Sequence, residues 1–267
     1  MTRPAAELRA QGITVRFGGL TAVDDVSLTV APGGFVGLIG PNGAGKTTTF
    51  NVLSGFQTPT SGSIVLGGRD ITSASASTRA GLGMGRTFQR LELFGRMTVL
   101  DNLLVAAEAK ESKLGVIADL LALPQRRREE RRCTGLALRV LEMLDLEWAG
   151  GRRAADLPVG TARTLELGRA LCAAPIVLLL DEPSSGLDSD ETRYFGRILQ
   201  RVNEEMGIGI LIVEHDMDLV LEVCKEIYVL DFGKLIAQGA PTDVMNDPVV
   251  RSAYLGEEDD APAVATP

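Results

Sequence analysis

The chain has 267 residues, 45% of them hydrophobic, so it can bury a sizeable core and is expected to fold as a globular protein. With 27 Lys+Arg against 35 Asp+Glu, its net charge is -8, which argues against nucleic acid as a partner. The longest apolar runs have the length of a strand and fall well short of the ~18 residues of a membrane span. We therefore expect no direct membrane span, and any association with a membrane is expected to depend on a partner protein.

The cysteines and the N-terminus give no signal of a secreted or zinc-binding protein. Cys133, Cys172 and Cys224 are widely separated and form no CxxC pair, which argues against a zinc site and a disulfide framework. Residues 1–10 include charged side chains and lack the apolar core of a secretory signal. The chain is therefore expected in the cytosol.

The first elements along the chain predict two kinds of β-structure. Residues 8–30 alternate apolar and polar side chains around a turn at Gly18 and Gly19, which is typical of a small antiparallel sheet. Residues 35–39 form an apolar run of buried-strand type, and a glycine-rich loop then leads into a helix predicted over 46–53. The order strand, loop, helix indicates the start of an α/β core.

The rest of the chain predicts a helical insertion followed by a return to the core. Residues 92–173 lack strand signals, with helices predicted over 99–109, 126–144 and 163–173. From residue 176, short apolar strands alternate with helices over 194–206 and 217–223, the order of a parallel sheet. We predict one domain over 8–256, made of a core with its β-subdomain (8–91 and 174–256), a helical subdomain (92–173), and a disordered acidic tail at 257–267.

The glycine-rich loop carries the strongest local signal in the sequence. Residues 40–47 read GPNGAGKT and match G-x-x-x-x-G-K-[ST] between a strand and a helix. Glycines let successive N–H groups face a phosphate, and the helix N-terminus and the lysine add positive charge. The sequence therefore predicts a P-loop that binds the phosphates of a ligand. The candidate binding residues are Gly40, Pro41, Asn42, Gly43, Ala44, Gly45, Lys46, Thr47 and Thr48.

The apolar run that ends at Leu180 is followed by two acids. Asp181, at the end of this strand, can reach a Mg²⁺ ion that Thr47 also contacts, while Glu182 is placed to polarise a water for attack on the γ-phosphate. Paired acids after a strand can instead cap a helix. Because a P-loop needs a carboxylate to hold its metal, we predict Mg²⁺ ligands at Thr47 and Asp181.

The next residues resemble a known family. Residues 183–188 read PSSGLD and resemble the D-loop of the ABC ATPases, a similarity that extends over about 8–256. It implies an α/β, P-loop NTPase (RecA-like) fold with an antiparallel β-subdomain and an inserted helical subdomain, dimerising head to tail around two ATP molecules. It also implies that Gln89 senses Mg²⁺ and water, that His215 contacts the γ-phosphate, and that Phe17 stacks on adenine. Considered alone, a single His after an apolar strand is more often structural, and a core or hairpin aromatic is the alternative for Phe17.

One motif departs from the family pattern. The signature LSGGQ is replaced by residues 157–161, which read LPVGT and keep only Leu157 and Gly160. Pro158 has neither a hydroxyl nor an N–H for the partner's γ-phosphate. Intact ATP-binding motifs beside a weak signature favour a heterodimer with a second, different ATPase subunit. A homodimer and an ATP-binding regulatory subunit are the alternatives.

Further detail resembles one branch of the family. Residues 86–94 (RTFQRLELF), 97–103 (MTVLDNL) and the ending over 246–257 are similar to ATPases of branched-chain amino acid importers. The resemblance implies an ATP-hydrolysing subunit at the cytoplasmic face of the cell membrane, held there by transmembrane permease subunits. Importers of urea or amides are alternatives, because partner proteins choose the solute. Exporters and soluble non-transport ABC ATPases are further alternatives.

Overall fold

The computed structural model describes residues 6–87, 91–111 and 124–255. The strands are β1 Leu8–Phe17, β2 Leu20–Val30, β3 Phe35–Ile39, β4 Ser61–Leu66, β5 Arg69–Asp70, β6 Met84–Arg86, β7 Val177–Asp181, β8 Gly209–Val213, β9 Glu226–Asp231 and β10 Lys234–Gly239. The helices are α1 Lys46–Ser54, α2 Ala76–Leu82, α3 Val99–Glu111, α4 Pro124–Met143, α5 Val159–Cys172, α6 Ser189–Met206, α7 Met217–Val223, α8 Pro241–Met245 and α9 Pro248–Leu255.

A mixed sheet forms the centre of the described chain, in the order β10-β9-β3-β8-β7-β6. Its members are parallel to their neighbours except β10, which pairs with β9 in the antiparallel sense. Every residue of β3, β7 and β8 is buried, as expected for parallel strands covered on both faces. The carboxyl ends of these three strands therefore lie at one edge of the sheet, which we call the catalytic edge.

Alternate residues of these strands pack into two separate cores. Val36 and Leu38 of β3 join a cluster that includes β1, β2, β4 and α1. Phe35 and Ile39 join a second cluster, which includes residues of α3, α4 and α5. This division follows from the period of two along a strand. The same division places α1 between the central sheet and a second, antiparallel sheet of order β2-β1-β4-β5.

The helical stretch between β6 and β7 contains α3, α4 and α5, which pack closely on one another. Gly168 of α5 permits this approach, because a Cβ there would lie 2.8 Å from Leu144 and 2.9 Å from Leu103. The subdomain boundaries at 92 and 173 stay predictions. The predicted tail at 257–267 lies outside the described residues.

Two helices begin at least four residues earlier than the sequence predicted. α5 begins at Val159 and not at residue 163, directly after the N-cap Pro158. α6 begins at Ser189 and not at residue 194, because Asp188 and Glu191 form a reciprocal capping box at its first turn. Both starts lie beside candidate site residues, so both corrections bear on the site.

Arg79 of α2 closes the C-terminal end of α1. Its guanidinium donates to the carbonyl oxygens of Val52 and Leu53 at 2.6 Å each, and to those of Thr72 and Ala74 at 3.0 Å each. The last carbonyls of a helix have no partner within the helix. Arg79 is therefore a buried arginine whose hydrogen bonds go to backbone carbonyls.

The cysteines of the described chain are buried free thiols. Burial raises the pKa of both Cys172 and Cys224 to about 12, so these two thiols stay protonated at neutral pH. Among the described helices, none combines the length and the apolar character that a membrane span requires.

Candidate functional site

The glycine-rich loop begins where β3 reaches the catalytic edge, and its shape depends on glycine. Gly40, Gly43 and Gly45 have φ values of 146°, 75° and 97°, in the region that side chains disfavour. A Cβ at Gly40 would lie 2.1 Å from the carbonyl oxygen of Leu230, and one at Gly45 would lie 2.6 Å from that of Ala22. The loop is thus confined between β9 and β2 in a conformation that only glycines fit.

The loop leads directly into the N-terminus of α1. Gly45 is the N-cap, without a side-chain cap, and the first turn of the helix contains no acidic residue. The first N–H groups of a helix need an external acceptor and favour an anion. Lys46 Nζ donates to the carbonyl oxygens of Gly40 and Pro41 at 2.6 and 2.8 Å, which places its charge over the loop. This geometry fits a bound phosphate chain.

The two acids of β7 lie at the same edge. Asp181 pairs with Val213 of β8, and the N–H of Glu182 donates to the carbonyl oxygen of Val213 at 2.9 Å. Glu182 has a φ of 45°, which is strained for a residue with a side chain and costs roughly 1–3 kcal/mol. Strain of this kind is typical of residues that the fold holds in place for function.

The surroundings of Asp181 fit a divalent cation. Burial raises the pKa of this carboxyl group; Arg86 opposes the shift, and Glu182 and Glu214 add to it. The described residues contain no cluster of three or more His, Cys, Asp or Glu side chains able to hold a metal alone. Mg²⁺ is commonly held by one or two protein oxygens together with substrate phosphates. Asp181 and Thr47 are the residues that would hold it.

Glu214 is a functional candidate to which sequence reasoning gave no role. Its Oε1 accepts hydrogen bonds from the N–H and the hydroxyl of Ser184 at 2.9 and 2.7 Å, and its Oε2 accepts from the N–H groups of His215 and Asp216 at 3.0 and 3.3 Å. The residue is buried, with only 1% exposed. Glu214 thus joins the loop after β7 to the loop after β8. An acid immediately after a buried strand was the available sequence signal.

Of the remaining predicted site residues, the structure describes the positions of two and not of the third. The His215 side chain is exposed and lies beside Glu214, with 4.0 Å between Nδ1 and Oε2. Phe17 is 52% exposed at the turn between β1 and β2. Gln89 lies outside the described residues. The structure therefore gathers the P-loop, both acids and His215 at the catalytic edge.

The altered signature lies at the N-terminus of α5, beside α6. A Cβ on Gly160 would lie 2.8 Å from Oε1 of Glu191, so the two helix starts are in close contact. Arg163 of α5 donates to the carbonyl oxygen of Ser185 at 3.2 Å, which connects this helix to the loop after the acids. The N-cap Pro158 provides no side-chain cap. Gly160 thus belongs to a surface shared by α5 and the start of α6.

Comparisons with known proteins agree with this geometry. A family model described as "ABC transporter" matches residues 23–185, which is more than half of the chain. A second model, described as "Branched-chain amino acid ATP-binding cassette transporter", matches residues 234–260.

Several curated relatives match almost the whole chain. It is 41% identical over 250 residues to the high-affinity branched-chain amino acid transport ATP-binding protein LivG of Escherichia coli, covering 94% of this chain and 98% of that protein. It is 40% identical over 257 residues to the BraF protein of the same description from Pseudomonas aeruginosa, covering 96% and 100%. The lipopolysaccharide export system ATP-binding protein LptB of Escherichia coli is 35% identical over 253 residues, covering 95% and 98%.

Solved structures give the same result. A nucleotide-free ATP-binding cassette from an ABC transporter is 33% identical, with a TM-score of 0.77 and coverage of 93% of this chain and 98% of that one. A cassette in its ADP conformation is 32% identical, with a TM-score of 0.81 and coverage of 94% and 99%. The chain therefore belongs to the ABC transporter family and has the α/β, P-loop fold of its ATP-binding cassettes, which are ATPases.

Proposed function

We propose that this chain is the ATP-hydrolysing subunit of an importer of branched-chain or related amino acids. The observation that carries hydrolysis is the meeting of the P-loop, Asp181, Glu182 and His215 at the ends of β3, β7 and β8. The C-terminal match over residues 234–260 supports import of this solute class. Transmembrane permease subunits would hold the chain at the cytoplasmic face of the cell membrane.

ATP would bind along the P-loop. The backbone N–H groups of residues 43–48 and the N-terminus of α1 would contact the β- and γ-phosphates, with Lys46 supplying a full positive charge. Thr47 and Asp181, with Gln89, would hold Mg²⁺, which supplies charge neutralisation at the phosphates when it is bound. Phe17, exposed at the turn before β2, would stack on adenine.

The chemical step needs a base and a positioned water. Glu182, which directly follows β7 at the catalytic edge, would accept the proton of the attacking water. His215 would donate a hydrogen bond to the γ-phosphate from the loop that Glu214 fixes. Hydrolysis is then a matter of positioning and charge stabilisation, which is typical of phosphoryl transfer.

The signature region favours an asymmetric pair of ATPase subunits. In a head-to-tail pair, Gly160 and the N-terminus of α5 would face the ATP that the partner binds. Pro158 cannot donate a hydrogen bond to that phosphate, and the loss of one charge-assisted contact costs roughly 1.5–3 kcal/mol. We propose that a partner ATPase with a complete signature covers the ATP on this chain, while the partner's own ATP turns over slowly.

Turnover measured with and without the partner tests this proposal. We expect the purified chain alone to hydrolyse Mg²⁺–ATP about 10- to 100-fold more slowly than an equimolar mixture with a partner ATPase subunit that has a complete signature. The Pro158→Ser variant restores a hydroxyl and an N–H, so it should raise the turnover of the chain alone. Equal turnover by the chain alone and by the mixture would contradict the asymmetric pair and favour a homodimer.

The solute is tested on the complete transporter. We expect ATP turnover by the reconstituted complex to rise severalfold when its solute-binding protein is loaded with leucine, isoleucine or valine, because the family couples the two events. Urea and acetamide serve as the matched small solutes. Stimulation by urea or acetamide alone would assign the chain to the related amide importers. Loss of a lipid from the membrane, with no solute uptake, would support the exporter alternative that LptB illustrates.

A further inference from the structure

Arg86, the last residue of β6, connects the P-loop helix to the acid at the end of β7. Its Nη2 lies 3.7 Å from Oδ2 of Asp181, and its Nη1 donates to the hydroxyl of Ser54 at 2.7 Å. The guanidinium carbon lies 4.7 and 4.5 Å from the ring centroids of Phe50 and Phe56, within the range of cation–π attraction. Contacts from α1 and the loop after it thus hold this positive charge beside the carboxylate.

The negative charge of the buried Asp181 carboxylate requires a cation beside it. The side chains of Arg86 and Asp181 are only 16% and 11% exposed, so water screens neither charge well. Glu182 and Glu214 add negative charge around Asp181. A buried carboxylate without a counter-ion is strongly destabilising. In the protein without nucleotide, Arg86 provides that counter-ion.

We infer that Arg86 is a positioning residue: it is the resident counter-ion of Asp181 and yields this role when a divalent cation binds with the nucleotide. The inference rests on the proposed Mg²⁺–ATP site. Two cations beside one carboxylate repel each other, so occupancy of the metal site weakens the attraction between Arg86 and Asp181. Because Arg86 also contacts α1 and ends β6, this change is transmitted to both elements.

Thermal unfolding with and without Mg²⁺–nucleotide separates this role from a structural one. The neutral variant Arg86→Met should unfold about 5 °C below the wild type in EDTA, because Asp181 loses its counter-ion. With saturating Mg²⁺ and the non-hydrolysable analogue AMP-PNP, the deficit should shrink by at least half. At fixed AMP-PNP, the Mg²⁺ concentration for half-maximal stabilisation should fall by about tenfold, because a repelling charge is gone.

Three further variants test whether the effect of Arg86→Met comes from the lost charge. Arg86→Gln is a second neutral variant that retains a polar, hydrogen-bonding end group and should show the same Mg²⁺ dependence. Arg86→Lys keeps the charge and should retain the Mg²⁺ dependence of the wild type. Arg79→Lys changes a buried arginine that is bonded to backbone carbonyls, so its deficit should be equal in both conditions.

The outcomes are distinct. A deficit that is the same with and without Mg²⁺–AMP-PNP in both neutral variants overturns the inference and makes Arg86 purely structural. If Mg²⁺–AMP-PNP does not stabilise even the wild type, the proposed nucleotide site itself is wrong. A deficit that shrinks in the neutral variants but not in Arg79→Lys supports the counter-ion role.

Discussion

Replacing Glu182 with glutamine is expected to lower hydrolysis of the ATP bound to this chain about 10³-fold in the assembled pair, while leaving ATP affinity within about threefold. The amide keeps the size of the side chain, and the backbone at φ 45° stays as it is. What is lost is the ability to accept the proton of the attacking water. Single-turnover hydrolysis and equilibrium ATP binding, both measured on the variant mixed with its partner ATPase, separate these two effects.

A matched control removes a carboxylate elsewhere. Glu205 is exposed on α6, away from the catalytic edge, and Glu205→Gln makes the same chemical change. This variant should turn over ATP at the wild-type rate. If Glu182→Gln retained more than a tenth of the wild-type rate, the assignment of Glu182 as the base would be wrong, and His215 would become the first alternative.

Replacing Glu214 with alanine is expected to lower the free energy of unfolding by about 3–5 kcal/mol and to reduce turnover as well. The substitution leaves the buried N–H and hydroxyl of Ser184, and the partly buried N–H groups of His215 and Asp216, without their acceptor. Since these groups fix the loops after β7 and β8, the geometry of His215 relative to the acids should also loosen. Equilibrium denaturation by urea measures the first effect.

The glutamine variant refines this prediction. In Glu214→Gln one side-chain oxygen still accepts hydrogen bonds, but the NH₂ group faces donors, so a loss of about 2–3 kcal/mol is expected. Asp218→Asn, at an exposed position of α7, is the control and should change stability by less than about 0.5 kcal/mol. A Glu214→Ala variant as stable as this control would show that the hydrogen bonds of Glu214 contribute nothing to the folded state.

The sequence predicted those parts of the fold that local patterns determine. β3 has the predicted bounds Phe35–Ile39 and α7 the predicted bounds Met217–Val223, because an all-apolar run and an amphipathic stretch leave little choice. The small elements between α1 and the helical stretch were missed. β5 has only 2 residues, and the buried residue of α2 is Arg79 and not an apolar side chain, so neither gives a periodic signal; tertiary contacts such as those of Arg79 hold them.

The candidate site likewise has residues that a local motif reveals and residues that only tertiary contacts reveal. A motif of adjacent residues, such as the P-loop or the pair Asp181 and Glu182, carries its chemistry in its spacing. Glu214 and Arg86 gain their importance from Ser184 and Ser54, which are 30 and 32 residues away in the chain. Without the folded chain, nothing in the sequence relates these pairs.

The backbone conformation at Glu182 favours residues that lack the carboxylate needed for the proposed catalytic role. Its φ of 45° is a shape that glycine or asparagine adopts more readily, by about 1 kcal/mol, and neither of these residues carries a carboxylate. A library of this chain sorted only for heat resistance should therefore accumulate inactive cassettes at this position.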